Sequence, residues 1–394
     1  MDIFKKCVDF TDARAAREAG LYPYFHPLSS AQEPEVIIDG KRMIMIGSNN
    51  YLGLTTHPRV KDAAIKAIEK FGTGCTGSRF LTGTLDMHNE LEAKLAKFLN
   101  KEAALVFSTG MQTNLGVISS LGTKDDILVT DKFDHASILD GCRLSYSHMR
   151  RFQHNDMVSL ERVLHGLDHN KGHMVIVDGI YSMEGDIANL PEIVRLCHKY
   201  DARVLVDDAH ALGVLGAHGR GTAEHFNLEK ETDLIMGTFS KSFAAIGGVV
   251  AGDFLVIDYI KHFARSMIFS AALPPALTAA VSAAVDVLRN EPQLRENLWK
   301  NANRMLKEFK AMGYDTGVAC TPIIPLMIGS QEKAFALWKY LMDKGIFANP
   351  VVSPAVPEGR EMIRTSFSAA HTGAQLDRVL EEFRKAGKML GLIG

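Results

Sequence analysis

Between residues 57 and 290, short apolar segments alternate along the chain with stretches of helical periodicity. Six of the apolar segments are short and rich in Val, Ile and Leu, and they read ALVFST, DILVT, MVIVD, RVLVD, DLIMGT and GGVVAG. Helical stretches such as LPEIVRLCHKY separate several of them. Strands that alternate with helices at this spacing predict βαβ units. We therefore expect an α/β protein with a largely parallel sheet that helices cover on both faces.

The regions on either side of this stretch have other patterns. Residues 1–56 are predicted to form an N-terminal arm, with a charged helix, the segment YPYF and short strands that end in GSNNYLGL. Residues 57–290 would form the large domain. Residues 291–394 begin with a long amphipathic helix and continue with the strand candidates IIPLMIG, IFANPVV and MIRTSFSA between two more helices. This part is predicted to be a smaller C-terminal α+β domain.

Composition and charge limit the partners that the chain can have. The net charge is −2 and the basic residues form no blocks, which argues against nucleic acid as a partner. The five cysteines have neither metal-ligand nor redox spacing, so we interpret them as reduced thiols of a cytoplasmic protein. We find no apolar run long enough for an integral membrane span. Any membrane contact is therefore expected to be peripheral.

The sequence supports neither a dinucleotide-binding motif nor a histidine metal site. Gly72–Gly77 matches the dinucleotide pattern G-x-G-x-x-G, but a helix rather than a strand precedes it. The motif needs a strand before the glycines and a helix after them, so a flexible loop is the better interpretation. The 15 histidines show no paired helical spacing of the metalloprotease kind, and we expect no metal site.

Two segments place polar residues where a strand gives way to a helix. In ALVFSTGMQTN the strand would stop at Ser108-Thr109-Gly110 and a helix would follow, and the backbone N–H groups of a helix start bind phosphate well. In DKFDHASILDG, His135 begins a helix, so its ring could lie flat over a bound aromatic cofactor. The alternatives are an ordinary turn for the first segment and a helix-capping histidine for the second.

Two other segments place charged residues at strand ends. In VLVDDAHALG, Asp207 ends a buried strand, and a carboxylate there is costly unless it meets a cation such as a protonated pyridine nitrogen. His210 follows and could donate a hydrogen bond to a ring oxygen. In DLIMGTFSKSFAAIGG, Lys241 follows a strand between the hydroxyls of Thr238 and Ser240, where its amine could form a Schiff base. A helix-capping aspartate and a surface lysine are the alternatives.

The order of these pieces favours one function. Four features follow one another on βα units of one predicted sheet: a helix start suited to phosphate, a histidine, a strand-end aspartate and a lysine. Open α/β sheets collect functional residues at the carboxyl ends of their strands. Each piece is weak evidence alone, but the ordered set predicts a site for pyridoxal phosphate (PLP).

The order and the sequences of these segments resemble those of the α-oxoamine synthases, a family of fold-type I PLP-dependent transferases. The resemblance runs from about Tyr22 to Thr372 and includes SNNYLGL, GSRFLTGT, DHASILDG, GIYSMEGDIANLPEIV, VDDAHALGVLG, GTFSKSFAAIGG and MIRTSFSAAHT. It implies the fold-type I architecture, PLP as cofactor and a homodimer with shared active sites. It also implies an acyltransferase that condenses an amino acid with an acyl-CoA and releases carbon dioxide.

The resemblance also implies roles for individual residues. Lys241 would carry PLP, Asp207 would face the pyridine nitrogen, His210 and Ser182 would lie near the ring oxygen, and His135 would stack on the ring. Gly110, Met111, Thr238 and Ser240 would hold the phosphate. Arg364 and either Asn49 or Asn50 would bind the amino acid carboxylate.

Within the family, two segments are similar to the bacterial serine palmitoyltransferases. These are TFSKS around the lysine and YPYF near the start of the chain. Glycine C-acetyltransferases and 8-amino-7-oxononanoate synthases more usually have TLGKA around the lysine, but Asp207-Asp208 resembles the glycine enzymes. We thus expect L-serine and palmitoyl-CoA as substrates, with those two activities as alternatives and a PLP aminotransferase as a more distant one.

Overall fold

The computed structural model describes residues 2–394 and is built around a seven-stranded sheet. The strand order across this sheet is β3-β9-β8-β7-β6-β4-β5. Strand β9 is antiparallel to both of its neighbours, and the other neighbouring pairs are parallel. The strands of this sheet are β3 (Ala103–Phe107), β4 (Asp126–Asp131), β5 (His148–Phe152), β6 (Gly172–Asp178), β7 (Arg203–Asp207), β8 (Leu234–Thr238) and β9 (Gly248–Gly252). The predicted mostly parallel sheet is thus present.

The helices lie between and after these strands. A short 3-10 helix at Leu54–Thr56 precedes α3. The α-helices are α1 (Lys5–Asp9), α2 (Asp12–Glu18), α3 (Pro58–Phe71), α4 (Asp86–Phe98), α5 (Gly110–Leu121), α6 (Ala136–Leu144), α7 (Met157–His165), α8 (Leu190–Lys199), α9 (Thr222–His225), α10 (Phe254–Phe263), α11 (Arg265–Ile268), α12 (Pro275–Asn290), α13 (Gln293–Met312), α14 (Gln331–Asp343) and α15 (Gly373–Met389). The Gly72–Gly77 segment lies between α3 and α4, away from any strand-to-helix turn.

The apolar strands of the large sheet are buried on both faces. On β6, Val175 and Val177 belong to one core cluster, whereas Met174 and Ile176 belong to another. Successive side chains of a strand point to opposite faces, so these clusters lie on the two sides of the sheet. Helices α4, α8 and α12 contribute to the first cluster, and α5, α6 and α10 contribute to the second. This double coverage explains why the strand segments are apolar without alternation.

Strand β5 is the one strand of this sheet that the sequence does not predict. Its residues HMRRF are mostly polar and exposed, and it lies at the edge of the sheet beside β4. Edge strands can be polar because one side of their backbone faces no neighbouring strand. The apolar pattern used to predict the other strands is therefore missing here.

Two three-stranded sheets complete the fold. One has the order β10-β13-β12 and the other the order β1-β2-β11. Because β11 pairs in parallel with β2, part of the predicted arm shares a sheet with the C-terminal region. The domain boundaries remain a prediction. The strands are β1 (Glu35–Ile38), β2 (Lys41–Met45), β10 (Ile323–Met327), β11 (Ile346–Phe347), β12 (Asn349–Val351) and β13 (Met362–Ser366).

Within residues 2–394, every helix is either too short or too polar to cross a membrane.

The large sheet determines where functional side chains meet. Strands β4, β6, β7 and β8 are parallel, so their carboxyl ends share one edge of the sheet. Asp178 and Asp207 are register partners at the ends of β6 and β7. Polar residues that follow these strands are therefore neighbours in space despite long sequence separations.

Candidate active site

A cavity of about 310 Å³ opens at the carboxyl ends of the large sheet. All the residues predicted to bind the cofactor line it. They are Gly110, Met111, His135, Ser182, Asp207, His210, Thr238, Ser240 and Lys241. The structure thus brings together residues that are up to 131 positions apart along the chain (110 to 241).

The start of α5 forms one wall of the cavity. Thr109 caps this helix, and its hydroxyl accepts a hydrogen bond from the backbone N–H of Gln112 at 3.0 Å. The first N–H groups of a helix have no acceptor within the helix and carry the positive end of its dipole. A Cβ at Gly110 would lie 2.7 Å from the hydroxyl oxygen of Thr238, so only glycine allows this approach. The helix start and the hydroxyls of Thr238 and Ser240 form a seat suited to an anion.

Asp207 is 3% exposed and has two hydrogen-bond donors. Asn114 Nδ2 lies 2.6 Å from its Oδ2, and the backbone N–H of Ala209 lies 2.9 Å from its Oδ1. The alternative that Asp207 caps a helix is wrong, because the next helix begins only at Thr222. A buried carboxylate needs a compensating cation, so Asp207 favours a positively charged group in the cavity.

Lys241 is half-buried and lines the cavity, unlike an ordinary surface lysine. Removal from water lowers the pKa of its amine to about 8, while the charges of Asp207 and Asp178 oppose this shift and that of Arg364 adds to it. An amine with this pKa is partly neutral near pH 8 and can act as a nucleophile or a base.

His135 caps α6 and lines the cavity at the same time. Its Nδ1 lies 2.7 Å from the hydroxyl of Ser137, which also accepts a hydrogen bond from Asn114 at 2.8 Å. Its backbone N–H donates to Asp178 Oδ2 at 2.9 Å. Burial lowers the pKa of the His135 imidazole below its usual value. The ring is thus held in place through Ser137 and is neutral near pH 7.

His210 is oriented by a tyrosine from the N-terminal arm. The hydroxyl of Tyr51 lies 2.7 Å from His210 Nδ1 and 3.3 Å from Asn49 Oδ1. Burial raises the pKa of Tyr51 to about 12 and holds that of His210 well below its usual value, so the phenol keeps its proton and the imidazole is neutral. We assign the phenol as donor in the shorter contact. The imidazole proton then lies on Nε2, which can donate into the cavity.

Arg364 lies on β13, beside the cavity, and is 6% exposed. Its Nε donates to the backbone oxygen of Ser182 at 2.7 Å, and its Nη2 donates to Asn49 Oδ1 at 3.2 Å. The side chain of Asn50 instead donates to Thr55 Oγ1 at 2.8 Å and to a backbone oxygen of the arm at 3.0 Å. The structure therefore brings Asn49, and not Asn50, to Arg364.

Four further residues contribute to this site although the sequence analysis did not single them out. Asn114 lies one helical turn after Gly110, and this spacing places both on one face of α5. Asp178 ends a β-branched strand, as Asp207 does, so its segment carried a usable signal. Ser137 and Tyr51 lie within segments that were noted, but nothing in their spacing indicated contacts with His135 or His210.

Replacing Tyr51 by Phe is expected to lower the free energy of unfolding by about 1–3 kcal/mol, because His210 Nδ1 is left buried without a partner. Urea unfolding monitored by circular dichroism measures this change. The matched control is Tyr146→Phe, since Tyr146 is 87% exposed and its substitution should change stability by less than about 0.5 kcal/mol. Equal stability of the two variants would contradict the assigned hydrogen bond.

Comparison with known proteins agrees with this geometry. Residues 41–383 match the family model described as aminotransferase class I and II. The match covers most of the chain, so the protein belongs to this family. The predicted fold-type I PLP transferase architecture is thereby confirmed.

Individual relatives indicate which members of this family the chain is similar to. The serine palmitoyltransferase of Sphingobacterium spiritivorum is 51% identical over 96% of this chain and 95% of its own. The 8-amino-7-oxononanoate synthase of Thermoanaerobacter pseudethanolicus is 46% identical over 96% of each chain. A structure of serine palmitoyltransferase from S. paucimobilis, with a bound PLP-myriocin aldimine, matches with a TM-score of 0.96, 37% identity and full coverage of both chains. The predicted resemblance to α-oxoamine synthases is confirmed.

Proposed function

We propose that this protein is a PLP-dependent serine palmitoyltransferase. It would condense L-serine with palmitoyl-CoA and form 3-ketosphinganine, coenzyme A and carbon dioxide. The observation that carries the proposal is one cavity in which Lys241 and Asp207 meet an anion seat, with Arg364 and Asn49 beside it. The 51% identity to a serine palmitoyltransferase over nearly the whole chain supports this choice within the family.

The residues present fit PLP in each of its parts. The start of α5 with Thr238 and Ser240 fits a phosphate, because a Cβ at Gly110 would fill the cradle that glycine leaves open. Asp207 fits a protonated ring nitrogen, since its buried charge needs a cation. His135 supplies a flat face, and Ser182 and His210 line the cavity where they could bond a ring oxygen.

When bound, PLP supplies a cationic ring that withdraws electrons from the Cα of an attached amino acid. Lys241 would hold the cofactor until the substrate amine takes its place, and its freed amine would then accept the Cα proton, a task that a pKa of about 8 suits. Arg364 and Asn49 would hold the amino acid carboxylate through a charged, fork-shaped contact. His135, neutral because of burial, would stack on the ring without repelling its charge.

The proposal includes a homodimer. Large apolar side chains are exposed on the first turn of α5, at the ends of α10 and α11 and in the loop after Gly77. A backbone hydrogen bond from the N–H of Ala272 to the oxygen of Gly77 joins this loop to the segment after α11. Exposed apolar patches of this kind usually mark a protein interface. A second copy of the chain would cover them. The exposed residues are Phe80, Leu81, Met111, Phe263 and Phe269.

We also propose a cytoplasmic location with peripheral membrane contact. A long-chain acyl-CoA and its product partition to membranes, so an enzyme acting on them would exchange both at a bilayer surface. The N-terminal segment supports this, because Ile3, Phe4, Val8 and Phe10 are exposed beside Lys5 and Lys6. The division into an arm, a large domain and a small domain is retained as part of the proposal.

The test is thiol release from acyl-CoA by the purified holoenzyme. Serine, glycine and alanine are each paired with acyl-CoAs from acetyl to palmitoyl. We expect the highest kcat/KM for serine with palmitoyl-CoA. Preference for glycine with acetyl-CoA would instead indicate a glycine C-acetyltransferase, and amino transfer to a keto acid without thiol release would indicate an aminotransferase.

Replacing Arg364 by Lys is expected to raise the KM for serine by roughly 10- to 100-fold, because hydrogen bonds to charged groups contribute about 1.5–3 kcal/mol and lysine lacks the planar fork. Steady-state kinetics with varied serine measure this. Arg360→Lys is the matched control, since Arg360 is exposed and close in sequence. A KM for serine that stays unchanged in the Arg364 variant would contradict the carboxylate assignment.

A further inference from the structure

His154 lies between two carboxylates, outside the lining of the cavity. Its Nδ1 is 3.0 Å from Asp131 Oδ1 and its Nε2 is 3.2 Å from Asp186 Oδ2. The side chain is 17% exposed. The ring of Phe133 stacks on it with centroids 4.6 Å apart, and Tyr181 meets it edge-on at 4.5 Å. The ring is therefore held between two aromatic side chains and has a carboxylate oxygen near each nitrogen.

This geometry favours a charged imidazole. The Nδ1 contact with Asp131 is a hydrogen bond, whereas the Nε2 contact with Asp186 has an ion-pair distance without hydrogen-bond alignment. A neutral imidazole carries no charge, so only the imidazolium places a positive charge beside both carboxylates. Burial by itself lowers the pKa of His154, but the carboxylates of Asp131 and Asp186 beside its two nitrogens outweigh burial and raise this pKa to about 10. The other titratable groups that face the ring are Glu184 and the phenol of Tyr181. Near pH 7 the ring is thus an imidazolium that compensates two buried acids.

The first carboxylate belongs to the turn that carries His135. Asp131 ends β4, and its backbone N–H donates to Asp134 Oδ2 at 2.8 Å. Asp134 Oδ1 accepts from the backbone N–H of Asp178 at 3.0 Å, and Asp178 Oδ2 accepts from that of His135 at 2.9 Å. A displacement of Asp131 would therefore reach His135 through hydrogen bonds within one short turn.

The second carboxylate belongs to the turn that carries Ser182. The backbone oxygen of Asp186 accepts a hydrogen bond from the N–H of Tyr181 at 3.1 Å. The backbone N–H of Gly185 donates to the oxygen of Tyr181 at 2.9 Å, so two hydrogen bonds close this turn. Ser182 lies inside this turn, and its backbone oxygen holds Arg364. Tyr181 also donates from its hydroxyl to Asp131 Oδ2 at 3.1 Å. The two turns are thus joined at His154 and at Tyr181.

From this arrangement we infer that His154 is a positioning residue for the reaction. As an imidazolium between Asp131 and Asp186, it locks together the turn of His135 and the turn of Ser182 and Arg364. The inference rests on the proposed function. Asn155 donates to the same two carboxylates from its backbone at 2.7 Å and its side chain at 3.0 Å, but it carries no charge. His154 instead places a positive charge between the two buried carboxylates.

The test replaces His154 by Gln, which can still donate one hydrogen bond but has no charge. We expect kcat for thiol release to fall roughly 10- to 100-fold, since small displacements of positioned groups have effects of this size. The KM for palmitoyl-CoA should stay within about twofold of the parent value, because a change confined to kcat indicates altered positioning. The visible circular dichroism of bound PLP, which reports the orientation of the ring, should change in amplitude. His165→Gln, an exposed histidine on α7, is the matched control and should change neither signal.

A second measurement follows the thermal unfolding of the holoenzyme at several pH values. The folded pKa of His154 is raised above its unfolded value, so its stabilising contribution is complete below about pH 6.5 and is lost as the pH rises towards 10. The difference in melting temperature between the parent and His154→Gln should therefore shrink between these pH values. If His154→Gln does not fold, Asp186→Asn, which removes one of the two contacts, replaces it in each measurement.

The outcomes separate the inference from the proposed function. A parent enzyme that releases no thiol with serine and palmitoyl-CoA contradicts the function, whatever His154 does. A parent that is active, together with a His154→Gln enzyme of unchanged kcat and dichroism, overturns the positioning role. Lower stability with both of those signals unchanged also overturns it, because it shows a purely structural contact.

Discussion

The Lys241→Ala enzyme is expected to lose thiol release by at least about a thousandfold and to lose the visible absorbance that a covalent link to PLP produces. Both losses have one cause, since the same amine carries the cofactor and removes the Cα proton. Positioned proton transfer contributes about 10²- to 10⁴-fold by itself, and the covalent role adds to this. The effect should therefore be the largest of any single substitution in the chain.

Two measurements check this. The first is thiol release at saturating serine and palmitoyl-CoA, together with the absorbance spectrum. The second is borohydride reduction of the parent enzyme followed by digestion, which should leave the cofactor on the peptide that contains Lys241. Lys230→Ala is the control, because Lys230 is exposed and lies shortly before β8, the strand that Lys241 follows. A Lys241→Ala enzyme that kept the absorbance of the parent would refute the lysine assignment.

Asp207→Asn is expected to lower kcat by roughly 10²- to 10³-fold, the size seen when one preorganised electrostatic partner is removed. The carboxylate is 3% exposed and faces the cavity, so it can hold a proton on the pyridine nitrogen that a neutral amide cannot hold. Without that proton the ring withdraws electrons poorly from the substrate. The absorbance spectrum of the bound cofactor should shift as well.

Asp208→Asn is a demanding control for this prediction. Asp208 is also buried, but its Oδ1 accepts from the hydroxyl of Thr222 at 2.6 Å and its Oδ2 from the backbone N–H of Thr222 at 2.9 Å. Its side chain thus serves the turn before α9 and does not line the cavity. We expect this variant to lose stability and to keep the spectrum of the parent enzyme. A spectral change in Asp208→Asn with none in Asp207→Asn would reverse the two roles.

Much of the fold could be predicted because its main signals are local. The strands β3, β4, β6, β7, β8 and β9 are apolar because both faces of the large sheet are covered, and their segments show this without any knowledge of partners. The strand ends that hold Asp207 and Lys241 follow from the same pattern. By contrast, β5 is polar at an exposed edge, so its pairing with β4 left no apolar signature.

The candidate site divides in a similar way. Residues at the carboxyl ends of strands could be found, since parallel strands bring these ends together by geometry. The choice between Asn49 and Asn50 could not be made, because adjacent residues of one type differ only in what surrounds them. The side chains that contact Tyr51 and His154 could not be predicted from the sequence either. Their contacts join segments that are 159 residues apart for Tyr51 and His210, and 23 and 32 residues apart for His154.

The sequence by itself determined the α/β class, the order of the anion seat, histidine, aspartate and lysine, and the resemblance to a PLP-dependent family. These features depend on residue type and on spacing within single elements. Only the tertiary structure decided that Asn49 meets Arg364, that Tyr51 orients His210, and that His154 bridges two acidic turns. Hydrogen bonds and ion pairs act over about 3 Å, so they depend on the final position of each side chain and not on the pattern that folds the backbone.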